Sequence, residues 1–317
     1  MRTMLWAALL GCALSFVFCW VLIPILRRFK AGQNILSYVE EHKKKSGTPT
    51  MGGLAFISAA VLTAALLVRK AERTFLLTLA IGVAYMIVGL LDDTLKQKHK
   101  QNLGLRAWQK FTFQAAIALL AAIACVRLGH TSIYLPFSNL QIHIGVWTFP
   151  LVVFVFLATV NAVNLTDGLD GLAASVSVPY FLSFGLLLFL QNGEQPLGVL
   201  SFALAGALLA YLIFNVSPAR VFMGDTGSLS LGGFAACIAC FSGNTLHIAV
   251  IGAPFVLSVV SVILQVVYFK ATKGKRIFLM SPIHHHFEQK GYSESQISYA
   301  YSTVTALLGI ACIACML

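Results

Sequence analysis

All five aspartates of the sequence, Asp92, Asp93, Asp167, Asp170 and Asp225, lie at the ends of long apolar stretches or in the short loops attached to them. A carboxylate beside hydrocarbon is costly and is kept where it serves a function. Five gathered in this way point to a site. In "GLLDDTLKQKHK" the neighbours Asp92 and Asp93 diverge by about 100° on a helix, so at most one aims straight at a ligand while the other braces it or binds elsewhere. "NLTDGLDG" sets Asp167 and Asp170 three apart, on one face if helical, and Gly168 and Gly171 bare the backbone for close approach. In "FNVSPARVFMGDTGSLSLGG" Asp225 stands between Gly224 and a Thr226-Gly227-Ser228 turn where an apolar run begins. Backbone N–H groups of a helix N-terminus would then face the same pocket as the carboxylate, with Asn215 and Arg220 close in sequence. That arrangement suits a metal-bound diphosphate.

Cations and imidazoles complete the set. Lys45 precedes the Gly-Thr-Pro-Thr turn of "HKKKSGTPTMGG", and Lys110 opens an apolar run. "SPIHHHFE" carries His284, His285 and His286 in a long polar segment. Three histidines could hold zinc, but the surrounding carboxylates favour a hard ion such as Mg²⁺, leaving imidazoles to touch substrate phosphate. The combined chemistry is metal-assisted displacement at phosphorus: carboxylate-held Mg²⁺ neutralises phosphate oxygens, Lys or His binds the remaining charge, and another carboxylate acts as base or nucleophile. A site at a membrane surface implies one lipid substrate and one water-soluble partner from the cytoplasm.

The elements that must position these residues are membrane helices. Of 317 residues, 58% are apolar and 10% charged, with a mean hydropathy of +0.84, which excludes an ordinary soluble domain. Ten spans are expected, near 3–25, 51–68, 74–91, 108–126, 147–164, 172–190, 197–214, 227–242, 247–269 and 297–316. The loops on one side, 26–50, 92–110, 215–226 and 270–296, hold 17 of the 22 Lys and Arg, which makes that side cytoplasmic and both termini external. Arg69, Lys70 and Arg73 run against this bias locally. The net charge of +11 thus reflects cytoplasmic loops facing anionic lipid and an anionic substrate, and no nucleic-acid partner is implied. The first span is too long for a signal-peptide core and reads as a retained helix. "SIYLPFSNLQIHIGV" in the external loop 128–146 has the pattern of a short β-hairpin. The seven cysteines, including the pairs Cys237/Cys240 and Cys312/Cys315, sit in apolar spans and read as buried small residues. The expected fold is an all-α polytopic integral membrane protein, with residues 1–317 forming a single transmembrane catalytic domain. An ion-coupled transporter would keep its acids near the bilayer midplane, not on one face.

"GTPTMGG" at 47–53, "DD" at 92–93, "NAVNLTDGLDGLA" at 161–173, "FMGDTGSLSLGG" at 222–233 and "PIHHHFE" at 282–288 together resemble the bacterial phospho-N-acetylmuramoyl-pentapeptide transferase family, within the polyprenyl-phosphate N-acetylhexosamine-1-phosphate transferase superfamily. The motifs run in the family's order from about residue 40 to the C-terminus. The resemblance implies transfer of phospho-MurNAc-pentapeptide from UDP-MurNAc-pentapeptide to undecaprenyl phosphate, giving lipid I and UMP with Mg²⁺, in the bacterial cell membrane with the site on the cytoplasmic face. It also suggests a homodimer. By the same resemblance Asp225 is the Mg²⁺ ligand and Asp92 the base or nucleophile, with Asp93 beside it. Asp167 and Asp170 line the nucleotide side with Asn164, Asn215 and Phe222, the last a stacking surface for uracil. His284, His285, His286, Lys45 and Lys110 meet the diphosphate. Within the superfamily the alternative is a UDP-GlcNAc:polyprenyl-phosphate GlcNAc-1-phosphate transferase; the HHH triplet and GTPTMGG favour the muramoyl branch. A UbiA-type prenyltransferase would need paired NDxxD motifs, which "NLTDGLDG" and "DDTLK" match poorly.

Overall fold

The computed structural model describes residues 1–28, 47–99, 104–138, 140–193 and 195–317. Its helices are α1 (Arg2–Arg28), α2 (Gly53–Leu67), α3 (Arg73–His99), α4 (Ala107–Arg127), α5 (Thr148–Thr166), α6 (Leu172–Asn192), α7 (Pro196–Asn215), α8 (Gly224–Phe241), α9 (His247–Ile251), α10 (Ala253–Ala271), α11 (Ile283–Gln289) and α12 (Glu294–Ala314). The hairpin expected before α5 is a two-stranded antiparallel sheet, β1 (Ser132–Tyr134) and β2 (Gln141–His143), with Ser132 opposite His143.

Among the described residues eight helices are long and apolar enough to cross a membrane: α1, α3, α4, α5, α6, α7, α10 and α12. The other two expected spans correspond to α2 and α8. The first has only 15 residues, about 22 Å at the helical rise. The second opens with the glycine- and serine-rich run "GDTGSLSLGG", and every residue from Asp225 to Phe241 is buried. Its surroundings are protein, so its sequence need not satisfy lipid. The expected ninth span is interrupted: α9 ends at Ile251, Gly252 intervenes, and α10 restarts with Pro254 in its first turn, where the missing proline N–H is tolerated.

Helix α8 is the hub, packed against α2, α3 and α5, while α7 packs on α1, α2 and α6. Small residues set these approaches. A Cβ at Gly53 would collide with the backbone of Gly227, and one at Gly89 with the carbonyl of Asp225. These contacts draw the start of α2 and the end of α3 onto the start of α8. Large apolar side chains such as Trp20 on α1, Leu120 on α4, Val267 on α10 and Leu307 on α12 remain exposed, as lipid-facing positions should.

Candidate active site

Three helix ends and two loops meet around the first turn of α8. Asp92, Asp93 and Asp225 are buried, and each offers a carboxylate oxygen within 4.8 Å of the others. The adjacent aspartates of α3 point apart, as helical geometry requires. Asp93 turns to the α8 N-terminus, where Oδ1 accepts from the Asp225 N–H at 3.2 Å and Oδ2 accepts from the Thr226 N–H at 3.0 Å and the Thr226 hydroxyl at 2.6 Å. The N–H groups expected to face a diphosphate are therefore already capped by Asp93. Asp92 turns to the other side, where its Oδ1 accepts from the Leu105 N–H at 2.8 Å.

Asp225 collects the cations. Its Oδ2 lies 2.7 Å from Lys96 Nζ and 3.0 Å from Lys110 Nζ, and its Oδ1 accepts from Asn164 Nδ2 at 2.6 Å. Asn164 also donates to Ser228 Oγ at 2.8 Å and accepts from Lys110 at 3.4 Å. Lys96 is shared, since its Nζ lies 2.6 Å from Asp92 Oδ2. That ammonium thus bridges the two buried carboxylates of Asp92 and Asp225. Three buried carboxylates with oxygens within 4.8 Å of one another fit a hard divalent cation. Lys96 and Lys110 occupy the positive positions beside them.

The loop before α8 is held by backbone pairing to the GTPTMGG segment: Phe222 N–H donates to the Pro49 carbonyl at 2.8 Å, Gly52 N–H to the Phe222 carbonyl at 2.8 Å, and Gly53 N–H to the Met223 carbonyl at 3.1 Å. This leaves the Phe222 side chain half-buried. Buried Asn215 donates through Nδ2 to the Val221 carbonyl at 2.9 Å. Lys45, expected at the diphosphate, lies outside the described residues.

The segment from Asp167 to Gly171 is a turn between α5 and α6, not a helix, because Gly171 takes a left-handed φ of 75°. Asp167 and Asp170 consequently do not share a helical face. Buried Asp170 accepts from the Ala219 N–H at 2.9 Å through Oδ2, and its own N–H donates to Glu294 Oε2 at 2.7 Å. Asp167 is half-buried. Burial and the nearby carboxylates of Asp225, Asp93 and Asp170 push it well above the usual carboxylate range.

The three histidines lie on the short helix α11, packed on this turn. A Cβ at Gly168 would sit 2.6 Å from His284 Nε2 and 2.9 Å from His285 Nε2. His285 Nδ1 pairs with Glu288 Oε2 at 2.7 Å, and His286 Nδ1 accepts from the Leu279 N–H at 3.1 Å. His284 is fully buried, with neither ring nitrogen hydrogen-bonded. Burial, with His285 beside it, lowers its pKa to about 3 against the opposing pull of Glu288. Of the expected residues, the structure brings Asp92, Asp93, Lys110, Asn164 and Asp225 into one cluster. Asp167, His284 and His285 border the turn beside it, and His286 faces the loop at Leu279.

Lys96 was not among the expected residues. Its signal was the four-residue spacing from Asp92, obscured by the neighbouring Lys98 and Lys100.

Buried carboxylates, two lysines and an asparagine thus converge on one helix N-terminus within a bundle of apolar helices. The family model for glycosyl transferase family 4 matches residues 75–243, more than half of the chain. A phospho-N-acetylmuramoyl-pentapeptide-transferase signature matches residues 45–57. The phospho-N-acetylmuramoyl-pentapeptide-transferase of Clostridium botulinum strain Eklund 17B is 46% identical over 97% of this chain and 95% of its own length. Its namesake in Clostridium novyi strain NT is 42% identical over the same shares, and that of Clostridium perfringens strain 13 is 46% identical over 90% of each chain. The chain belongs to the phospho-N-acetylmuramoyl-pentapeptide-transferase family.

Proposed function

We propose that the chain transfers phospho-MurNAc-pentapeptide from UDP-MurNAc-pentapeptide to undecaprenyl phosphate, forming lipid I and UMP, in a Mg²⁺-dependent reaction that is the first membrane step of peptidoglycan synthesis. The observation that carries this reading is the buried Asp92–Asp225 pair bridged by Lys96, with Lys110 and Asn164 completing the ring. Residues 1–317 act as one domain of ten spans in the bacterial cell membrane, α2 and α8 completing the count. The termini are external, and the carboxylates are on the cytoplasmic face. The concentration of Lys and Arg in the loops at that end supports this orientation. The working unit is a homodimer.

Asp225 would hold Mg²⁺, which when bound supplies charge neutralisation at the diphosphate and polarises the phosphorus under attack. Asp92, oriented by the Leu105 N–H, takes the proton of the lipid phosphate. The lipid oxygen then forms a bond to the β-phosphorus as the bond to UMP breaks. Lys110 and Lys96 bind diphosphate oxygens, joined by Lys45 and the imidazoles of His284, His285 and His286. Asn164 fixes the Asp225 carboxylate. Phe222 stacks on uracil beside Asp167, while Asp170 and Asn215 shape the nucleotide side through the Ala219–Val221 backbone they hold. Asp93 positions Asp225 by capping its helix.

The test is UMP release by purified protein given undecaprenyl phosphate and either UDP-MurNAc-pentapeptide or UDP-GlcNAc. Release with the muramoyl substrate alone is the expected result; release only with UDP-GlcNAc would move the chain to the other branch. A labelled sugar phosphate trapped on the protein without lipid would replace direct attack by a covalent route through Asp92.

A further inference from the structure

At the end of the bundle opposite the carboxylates, a groove of about 870 Å³ opens between the start of α1, the segment after α2 and the start of α7. Arg73, where α3 begins at this end, is about 28 Å along the helix from Asp92, so the groove belongs to the other membrane surface. Arg2, Arg69 and Lys70 line it, all exposed. Among the described residues none of the three has a carboxylate within ion-pair distance. Beside them Trp6, 55% exposed, and Leu66 form an apolar wall, and Glu72 with Gln195 adds hydrogen-bond acceptors. Arg69 and Lys70 belong to the cluster that runs against the charge bias of the loops. Orientation gives no reason for it.

We propose that this groove binds the headgroup of an anionic, hydroxylated glycerophospholipid in the leaflet opposite the carboxylate site. Unpaired cations at the ends of lipid-exposed helices, with an indole at the interface, match a phosphate above acyl chains. Glu72 selects among phosphates: it accepts from a headgroup hydroxyl but repels the second charge of a phosphomonoester, so a singly charged phosphodiester fits better than a polyprenyl phosphate. The site is independent of the transfer reaction proposed above.

Native mass spectrometry of the full chain in detergent, titrated with phosphatidylglycerol, phosphatidylcholine or a polyprenyl phosphate, tests it. Removing each cation should weaken phosphatidylglycerol binding about fivefold, so R69Q/K70Q should lose about 25-fold and R2Q about fivefold. R127Q, at the same end but outside the groove, should bind as wild type does, and phosphatidylcholine should bind weakly throughout. Transfer activity retained by the variants establishes that they are folded. Undiminished phosphatidylglycerol binding in R69Q/K70Q would overturn the proposal. So would an equal loss in R127Q, which would mark general surface attraction, or a loss confined to polyprenyl phosphate.

Discussion

Asp92 and Asp93 are adjacent and both buried, yet their substitutions should separate stability from activity in opposite ways. Asp93 accepts three hydrogen bonds at the α8 N-terminus. Truncation to Ala strands two buried backbone N–H groups and a hydroxyl; at about 1–3 kcal/mol for each unsatisfied group, partly relieved by entering water, Asp93→Ala should cost about 3–5 kcal/mol. Asp93→Asn keeps one acceptor oxygen, which can serve Thr226 at both its donors. Its amide then faces only the Asp225 N–H, and the cost falls to about 2 kcal/mol. Asp92→Asn retains the oxygen that accepts from Leu105, and Lys96 keeps Asp225 as partner. Because neutralising Asp92 also relieves its repulsion with Asp225, the variant's stability should stay within about 1–2 kcal/mol of wild type while transfer falls by at least about 10²-fold through loss of the base. Thermal unfolding in detergent without substrate, paired with UMP release, reads both quantities. If Asp93→Ala melts with the wild type, or Asp92→Asn is destabilised as much as Asp93→Ala, the assignment of cap and base is wrong.

Other predictions follow from the same geometry. Lys96→Ala removes the ammonium shared by Asp92 and Asp225, and steady-state kinetics should show kcat/KM down by about 10–10²-fold, a loss of about 1.4–3 kcal/mol; unchanged kinetics would make Lys96 a surface anchor only. Gly168→Ala drives a Cβ against His284 and His285, so melting should show a loss of about 1–3 kcal/mol together with reduced turnover, and wild-type behaviour in both would mean that α11 moves freely from the turn. His284, lowered to about 3 when folded, titrates near about 6.5 in an unfolded chain. Between those values the unfolded state binds the extra proton, so stability from this residue is present above about pH 6.5 and is lost as pH falls toward 3, by on the order of 4 kcal/mol. Melting curves from pH 4 to 7 should flatten in His284→Asn; an unaltered slope would place the pH dependence elsewhere.

What the sequence disclosed about the site was its charges, because an acid or lysine beside a long apolar run is conspicuous whatever its partner. Asp92, Lys110 and Asp225 could be selected on that ground, Asn164 entered through the resemblance of its motif, and all four converge. The division of labour between Asp92 and Asp93 was legible only as a 100° divergence; which of them meets the α8 N-terminus depends on how closely Gly89 lets α3 approach. Lys96 was hidden among basic neighbours that look like membrane anchors. The turn at Asp167–Gly171 could not be told from a helix start by spacing alone, since a glycine takes right- and left-handed φ about equally readily and Gly171 takes the left-handed one. Hydropathy located the helices well where lipid faces them. It was least informative at α8, whose small polar residues answer to α2, α3 and α5, and at the break between α9 and α10.

The central claim is that Asp225 holds a divalent cation where the diphosphate is cleaved, with Asp92 beside it as base. Measuring UMP release from UDP-MurNAc-pentapeptide and undecaprenyl phosphate across a Mg²⁺ titration, for wild type and Asp225→Asn, tests it most directly. Wild-type activity should rise from background to saturation with Mg²⁺, while Asp225→Asn stays at least about 10³-fold lower at every concentration. Full activity in Asp225→Asn, or wild-type turnover undiminished by chelation, would contradict it.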